Sequence, residues 1–275
     1  MNTPRTTKEN LMLDYKLYKG RGSEYIVLLH GIGGNSNIFY KQLKPFLKKY
    51  HIVAIHMPGH GKSPDIDSYK DGFSFDVIVR EILRTLDHLS IRKAHFVGIS
   101  LGSIIVHHLL QTRPDRVRSA VLGGAITRFN LFAKSLIKLA GIIKDFIPFM
   151  WLYRILALVL MPKDNHKDSR RFFIQEAYKM KRKNFLAWYH LAGDVKATYS
   201  KVQEKSEDVP KLYISGAEDH MFVRELTEDL RSDKSSELVI LEQCGHVCNI
   251  EKADDFNELS LEFIDKHQVK KAHIS

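Results

Sequence analysis

Residues 95–103 read HFVGISLGS, an apolar run followed by Ser100 with Gly98 and Gly102 two positions away on either side. The spacing matches G-x-S-x-G, in which a serine is carried on a sharp turn between a strand and a helix. On such a turn the hydroxyl projects beyond the end of the sheet, and a side chain at either glycine would collide with nearby atoms. The context fits on both sides, because AHFV (94–97) is strand-like and SLGSIIVHHLLQ (100–111) has helical spacing. Alone, a five-residue pattern is weak, since a tight turn with an incidental serine would look the same.

Outward from this turn, similar short runs recur: Tyr25–Leu29 (YIVLL), His51–Ile55 (HIVAI), AVL (120–122), KLYIS (211–215) and LVIL (238–241). They are continuously apolar rather than alternating, as expected of strands buried on both faces of a parallel sheet. Helical patterns lie between them. SFDVIVREILRTLDHL (74–89) places Val77, Ile78, Ile82, Leu86 and Leu89 on one face, with Ser74 as N-cap, and ADDFNELSLEFIDKH (253–267) closes the chain. The alternation predicts an α/β fold, a mostly parallel central sheet flanked by helices, with functional loops at the carboxyl ends of the strands. Leu11, Leu13, Tyr15 and Leu17 alternate and predict an opening antiparallel hairpin. From 128 to 205 the rhythm gives way to helical, aromatic, basic sequence. This predicts a helical cap (128–205) inserted into a core made of 1–127 and 206–275.

A serine hydroxyl is a poor nucleophile until a base takes its proton. Of 14 histidines, His246 in QCGHVCNIE (243–251) follows a predicted strand and should reach the edge of the sheet where Ser100 emerges. An imidazole in that role needs a carboxylate to fix its tautomer and stabilise its cation. Asp219, in SGAEDHMF (215–222), follows KLYIS and meets the same edge; Glu218 is the second choice, and Asp194 and Asp208 rank below it. The order Ser100, Asp219, His246 is the nucleophile–acid–base order of a strand–turn–helix serine site. Two N–H donors must face the oxyanion. Leu101, directly after the serine, and Ile32, in the glycine-rich HGIGGN (30–35), are the candidates.

HGIGG (30–34), MPGHGKS (57–63), GISLG (98–102), GAED (216–219) and GH (245–246) together resemble the α/β-hydrolase superfamily. In detail the chain is similar to its serine carboxylesterase and monoglyceride-lipase-like members with a helical cap. The resemblance implies ester hydrolysis by Ser100, His246 and Asp219. One departure stands out: His56 occupies a position where that family often has an acid. Ser100 also argues against the superfamily branches that use aspartate at this turn.

The composition bounds the rest. Apolar residues at 44% and charged residues at 27% fit a globular protein. Two cysteines cannot form a disulfide framework, and the start has no signal-peptide pattern, so a cytoplasmic location is expected. The apolar stretch 146–161 is broken by Pro148 and Arg154 and is too short to span a bilayer. The net charge is +10, and 128–205 holds 16 Lys and Arg against 6 Asp and Glu while the remainder balances. That excess could meet an anionic lipid surface or reflect solvated helix faces; no nucleic-acid recognition motif accompanies it, so no nucleic-acid partner is expected. Phe129, Phe132, Phe149, Trp151 and Trp188 are candidates to line an acyl pocket, or to hold the cap helices together. No metal or organic cofactor is implied. His60 is read as ordering its loop, and Cys244 and Cys248 as buried thiols rather than metal ligands.

The expectation is therefore a serine hydrolase that cleaves small-molecule esters with an apolar acyl chain through an acyl-enzyme. Its rivals are a thioesterase, acyltransferase or C–C bond hydrolase with the same triad, and a ligand-sensing or regulatory protein on the same scaffold.

Overall fold

The apolar runs become a single sheet whose central strands have no solvent-facing side. The computed structural model describes residues 12–268 apart from 145, 192–194, 207 and 232. The strands are β1 (Tyr15–Tyr18), β2 (Tyr25–Leu29), β3 (His51–Ile55), β4 (Ala94–Ile99), β5 (Val117–Gly123), β6 (Lys211–Gly216) and β7 (Ser236–Leu241). Their order is β1-β3-β2-β4-β5-β6-β7, and all pairs except β1–β3 are parallel. Every residue of β4 and β6 is buried, which accounts for their unbroken apolar character.

Three helices, α1 (Tyr40–Phe46), α2 (Phe75–His88) and α3 (Leu101–Thr112), connect the first five strands. Ser74 caps α2 as its sequence implies, its hydroxyl accepting from Val77 N–H at 3.3 Å. Between β5 and β6 stand α4 (Leu131–Ile143), α5 (Phe149–Leu160), α6 (Lys167–Ala177), α7 (Arg182–Leu191) and α8 (Val195–Lys205). α8 packs along α3, so the span 128–205 ends in a helix laid on the sheet layer. The chain closes with α9 (Val223–Leu230), α10 (Cys248–Glu251) and α11 (Ala253–Lys266). The apolar stretch 146–161 yields the 12-residue α5, and no helix among the described residues is long and apolar enough to cross a membrane.

The opening differs from the expected hairpin. β1 is antiparallel, but it pairs with β3, Tyr15 opposite Ile55 and Tyr18 opposite Ile52. β2 is already paired on both edges, by β3 and β4, so β1 takes the outer edge of β3. Leu11 lies outside the described residues.

Parallel pairing places the carboxyl ends of β2, β4, β6 and β7 along one edge. Ile32, Ser100, Asp219 and His246 each follow one of those ends by one to five residues. The topology therefore gathers residues that are far apart in sequence.

Candidate active site

Ser100 occupies the turn between β4 and α3 with φ 54° and ψ −115°, a conformation that non-glycine residues rarely adopt. The surrounding backbone holds it there. Ser100 N–H donates to Gly123 O at 2.9 Å, and its carbonyl accepts from Ser103 N–H at 2.8 Å and from the Ser103 hydroxyl at 2.6 Å. The flanking glycines are sterically required. A Cβ on Gly98 would lie 2.6 Å from Gly102 O, and one on Gly102 would lie 2.1 Å from Leu29 O. Those contacts explain why the sequence spends two glycines beside one serine.

The histidine and acid meet this hydroxyl in line. His246 Nε2 lies 2.9 Å from Ser100 Oγ, and its Nδ1 lies 2.8 Å from Asp219 Oδ2. Both His246 and Asp219 are buried. Burial by itself depresses a histidine, but the Asp219 charge and hydrogen bond outweigh it and hold the His246 pKa above its ordinary value. With Nδ1–H donating to the carboxylate, Nε2 is left as the lone-pair nitrogen facing the serine. The arrangement can accept a proton from Ser100 and stabilise the cation that results.

Glu218, one residue earlier, turns the other way. It accepts from Asn165 Nδ2, Lys163 Nζ and His166 Nε2, each at 2.8 Å, and the first two hold its carboxyl down at about 2. It ties the loop before α6 to the sheet and is remote from His246 in its bonding. Asp208 is exposed, and Asp194 lies outside the described residues.

The loop after β2 is secured from two sides. Gly33 N–H donates to His60 Nε2 at 3.0 Å, and the Tyr153 hydroxyl on α5 donates to Ile32 O at 2.7 Å. These two groups belong to one peptide unit, so its plane is clamped at both ends, next to the peptide that carries the Ile32 N–H. Burial pushes His60 down to about 4, so it stays neutral and can accept from Gly33. Ile32 and Leu101 both line the cavity beside Ser100, and Leu101 N–H is at the exposed-dipole end of α3. His60 was legible as a loop-ordering residue; Tyr153 was not, because inside the run FMWLYRILALVL nothing distinguishes one buried aromatic from the next.

Two further residues matter here: His56, whose role the sequence left open, and Glu251, which it did not single out. His56, which stands where an acid is common, bonds Asp14 Oδ2 through Nδ1 at 2.7 Å and Ser36 Oγ through Nε2 at 2.9 Å. The acid is supplied from the chain just before β1. Glu251 accepts from Gly245 N–H at 2.6 Å and from Ser169 Oγ at 2.8 Å, bracing the His246 loop and joining it to α6.

Ser100 and His246 open into a cavity of about 220 Å³. Its wall is almost entirely apolar, with Leu136, Ile137 and Ala140 from α4, Leu152, Leu156 and Val159 from α5, and Phe222 beside the His246 ring. Of the aromatics expected there, Phe129 and Trp188 line it. Phe132, Phe149 and Trp151 do not. Phe132 and Trp151 point outward because α4 and α5 are apolar on both faces, and the inner positions fall on the other side of each helix. Phe149 packs on Phe185, with ring centroids 5.9 Å apart. Cys244 and Cys248 are buried, and burial first raises both thiols, Cys248 to about 12, so neither is a ready thiolate.

The family description "alpha/beta hydrolase fold" matches residues 24–151. The dihydrolipoyllysine-residue acetyltransferase component of the acetoin cleaving system of Pseudomonas putida is 26% identical over 254 residues, 90% of this chain and 65% of the relative. The chain spans about half of another curated relative, 47% of its length. A 2-hydroxy-6-oxononadienedioate/2-hydroxy-6-oxononatrienedioate hydrolase of Escherichia coli is 28% identical over 269 residues, covering 89% of this chain and 88% of that one. Among solved structures, one from a study of Nitrososphaera gargenis carboxylesterases superposes with a TM-score of 0.76 at 19% identity, covering 96% of this chain and 98% of the other. The sheet order, the serine turn and these likenesses agree on one architecture: the chain has the α/β-hydrolase fold.

Proposed function

We propose that this protein is a serine hydrolase that cleaves carboxylic esters with an apolar acyl chain through an acyl-enzyme. The observation that supports it is the line Asp219–His246–Ser100 opening onto an apolar cavity. His246 Nε2 takes the Ser100 proton as Oγ adds to the ester carbonyl, and Asp219 stabilises the imidazolium. The oxyanion is held by the N–H groups of Leu101 and Ile32. The tetrahedral adduct then collapses, and the leaving alcohol takes the proton from His246. Water, deprotonated in turn by His246, adds to the acyl carbonyl; Ser100 leaves, regains its proton, and the carboxylic acid departs.

In this reading α4–α7 form the cap that walls the acyl site, while α8 belongs with the core against α3. Thioester hydrolysis, acyl transfer or C–C hydrolysis could use the same three residues. The wall favours an uncharged substrate. Among the described residues its one Lys or Arg is Lys144, whereas a dioate such as the one in the Escherichia coli relative's name presents two carboxylates that need cationic partners. A panel of p-nitrophenyl esters and acyl thioesters tests the assignment. Turnover of the esters that rises with acyl length is expected; no turnover of any ester would overturn it.

A further inference from the structure

The cap carries a second apolar surface on its outside. Among the described residues, Leu131, Phe132, Leu139, Ile142, Phe146, Trp151, Ile155 and Leu158 are eight of the twelve large hydrophobic side chains that stand exposed, and all lie in the α4–α5 hairpin. Phe146 and Leu131 are 84% and 83% exposed, and Trp151 is 59% exposed. Phe132, Leu139 and Ile142 fall on one side of α4, Trp151, Ile155 and Leu158 on one side of α5, and Phe146 stands in the turn between the two helices. Large apolar side chains left exposed in such number on two successive helices mark an interaction surface.

We propose that this face docks the protein on an anionic lipid surface, so that the ester enters the cavity from the lipid phase; this rests on the hydrolase reading above. Three observations select that occupant. The first is charge: residues 131–160 hold Lys134, Lys138, Lys144 and Arg154 against the single acid Asp145, and 128–205 carries the whole excess of the chain. A second copy would bring two such surfaces together and repel, whereas anionic headgroups attract them. The second is continuity, since Leu139 and Ile155 are half-exposed on this face and also line the cavity. The mouth of the acyl site therefore lies within the docking patch. The third is shape: at 13 and 12 residues, α4 and α5 are too short to span a bilayer and suited to lie along it, with Trp and Phe on the lipid side and Lys beside them. Nucleic acid would gain nothing from the aliphatic stripe.

The full chain, sedimented with vesicles of POPC alone and of equimolar POPC and POPG, tests the proposal without turnover. The expected result is binding to POPC/POPG vesicles that weakens at high salt and on POPC alone, with a blue shift of tryptophan fluorescence. Trp188 is already buried, so the shift reports Trp151. The triple variant Phe146→Ser, Trp151→Ser and Leu158→Ser leaves the cavity wall intact, and its vesicle partitioning should fall by about tenfold or more. Its hydrolysis of soluble p-nitrophenyl butyrate should stay at the wild-type level, which separates failure of docking from failure of the hydrolase reading. Wild-type protein that stays in the supernatant overturns the proposal, as does a variant that sediments equally well. A wild-type dimer that the variant dissolves, with no vesicle binding, assigns the face to a second copy instead. Equal binding to POPC and POPC/POPG overturns the anionic selectivity.

Discussion

The Tyr153 hydroxyl on α5 donates a 2.7 Å hydrogen bond to the Ile32 carbonyl on the loop after β2, joining that helix to the proposed oxyanion site. His60 holds the other end of the same peptide unit. Tyr153→Phe keeps the buried ring, which stacks on Phe173, and removes only the donor. Because the loop stays tethered by His60, kcat should fall by about tenfold with KM little changed, less than the loss of an oxyanion donor itself. Steady-state kinetics with a soluble ester check this; an unaltered kcat would show that the clamp on Ile32 has no bearing on turnover.

The acid limb of kcat/KM reports His246, which must be neutral to accept the Ser100 proton. Its pKa lies above the ordinary 6.5, so activity should be lost as pH falls through a midpoint higher than that value. Asp219→Asn removes the two larger influences that raise it and leaves burial, which lowers it, opposed only by the weaker Glu251 charge. The midpoint should then drop below 6.5, while the plateau rate falls by roughly 10⁴. Glu218→Gln should leave both nearly untouched, because its bonds run to Lys163, Asn165 and His166. Reversed effects for the two variants would reassign the acid.

At Gly102 an added methyl meets the Leu29 carbonyl at 2.1 Å, and backbone cannot rotate away as a flexible side chain would. Gly102→Ala should lower stability by about 1–3 kcal/mol and displace the serine turn, with activity falling further than folding does. Thermal denaturation and ester turnover, measured together, separate the two losses. A variant with wild-type melting and turnover would contradict the close approach of β2 to α3.

The apolar wall sets a length limit. Each added methylene that finds room should gain about 0.8 kcal/mol, or several-fold in kcat/KM, until the cavity is filled. Leu136→Trp, on the inner face of α4, should shorten the preferred chain while leaving acetyl ester turnover close to wild type. A series from acetyl to dodecanoyl esters measures this, and a flat profile in both proteins would remove the cavity from the acyl-binding role.

The sheet was readable because its strands are buried on both faces and thus continuously apolar, and β2 and β3 fall where YIVLL and HIVAI place them. The serine turn was readable because geometry forces glycine at 98 and 102. Asp219 and His246 followed from strand ends sharing one edge. Pairing that depends on a vacant sheet edge is not legible locally, so the antiparallel start was legible but its pairing with β3 instead of a hairpin was not. The cap was hardest. Hydrophobic on both faces, α4 and α5 give no periodic signal to separate Leu136, facing the cavity, from Phe132, facing out. Tyr153 acts through a contact 121 positions away, and Glu251, besides holding nearby Gly245, reaches Ser169, 82 positions away; no local pattern encodes such distant contacts.

The central claim is that Ser100 is the nucleophile. The most direct measurement is covalent labelling by a fluorophosphonate probe, located by mass spectrometry and run beside p-nitrophenyl butyrate hydrolysis in wild-type and Ser100→Ala proteins. The label is expected on Ser100 alone, and the alanine variant should fold normally, take up no label and lose on the order of 10⁴ or more in kcat. A folded Ser100→Ala protein that still turns over the ester at the wild-type rate would contradict the assignment.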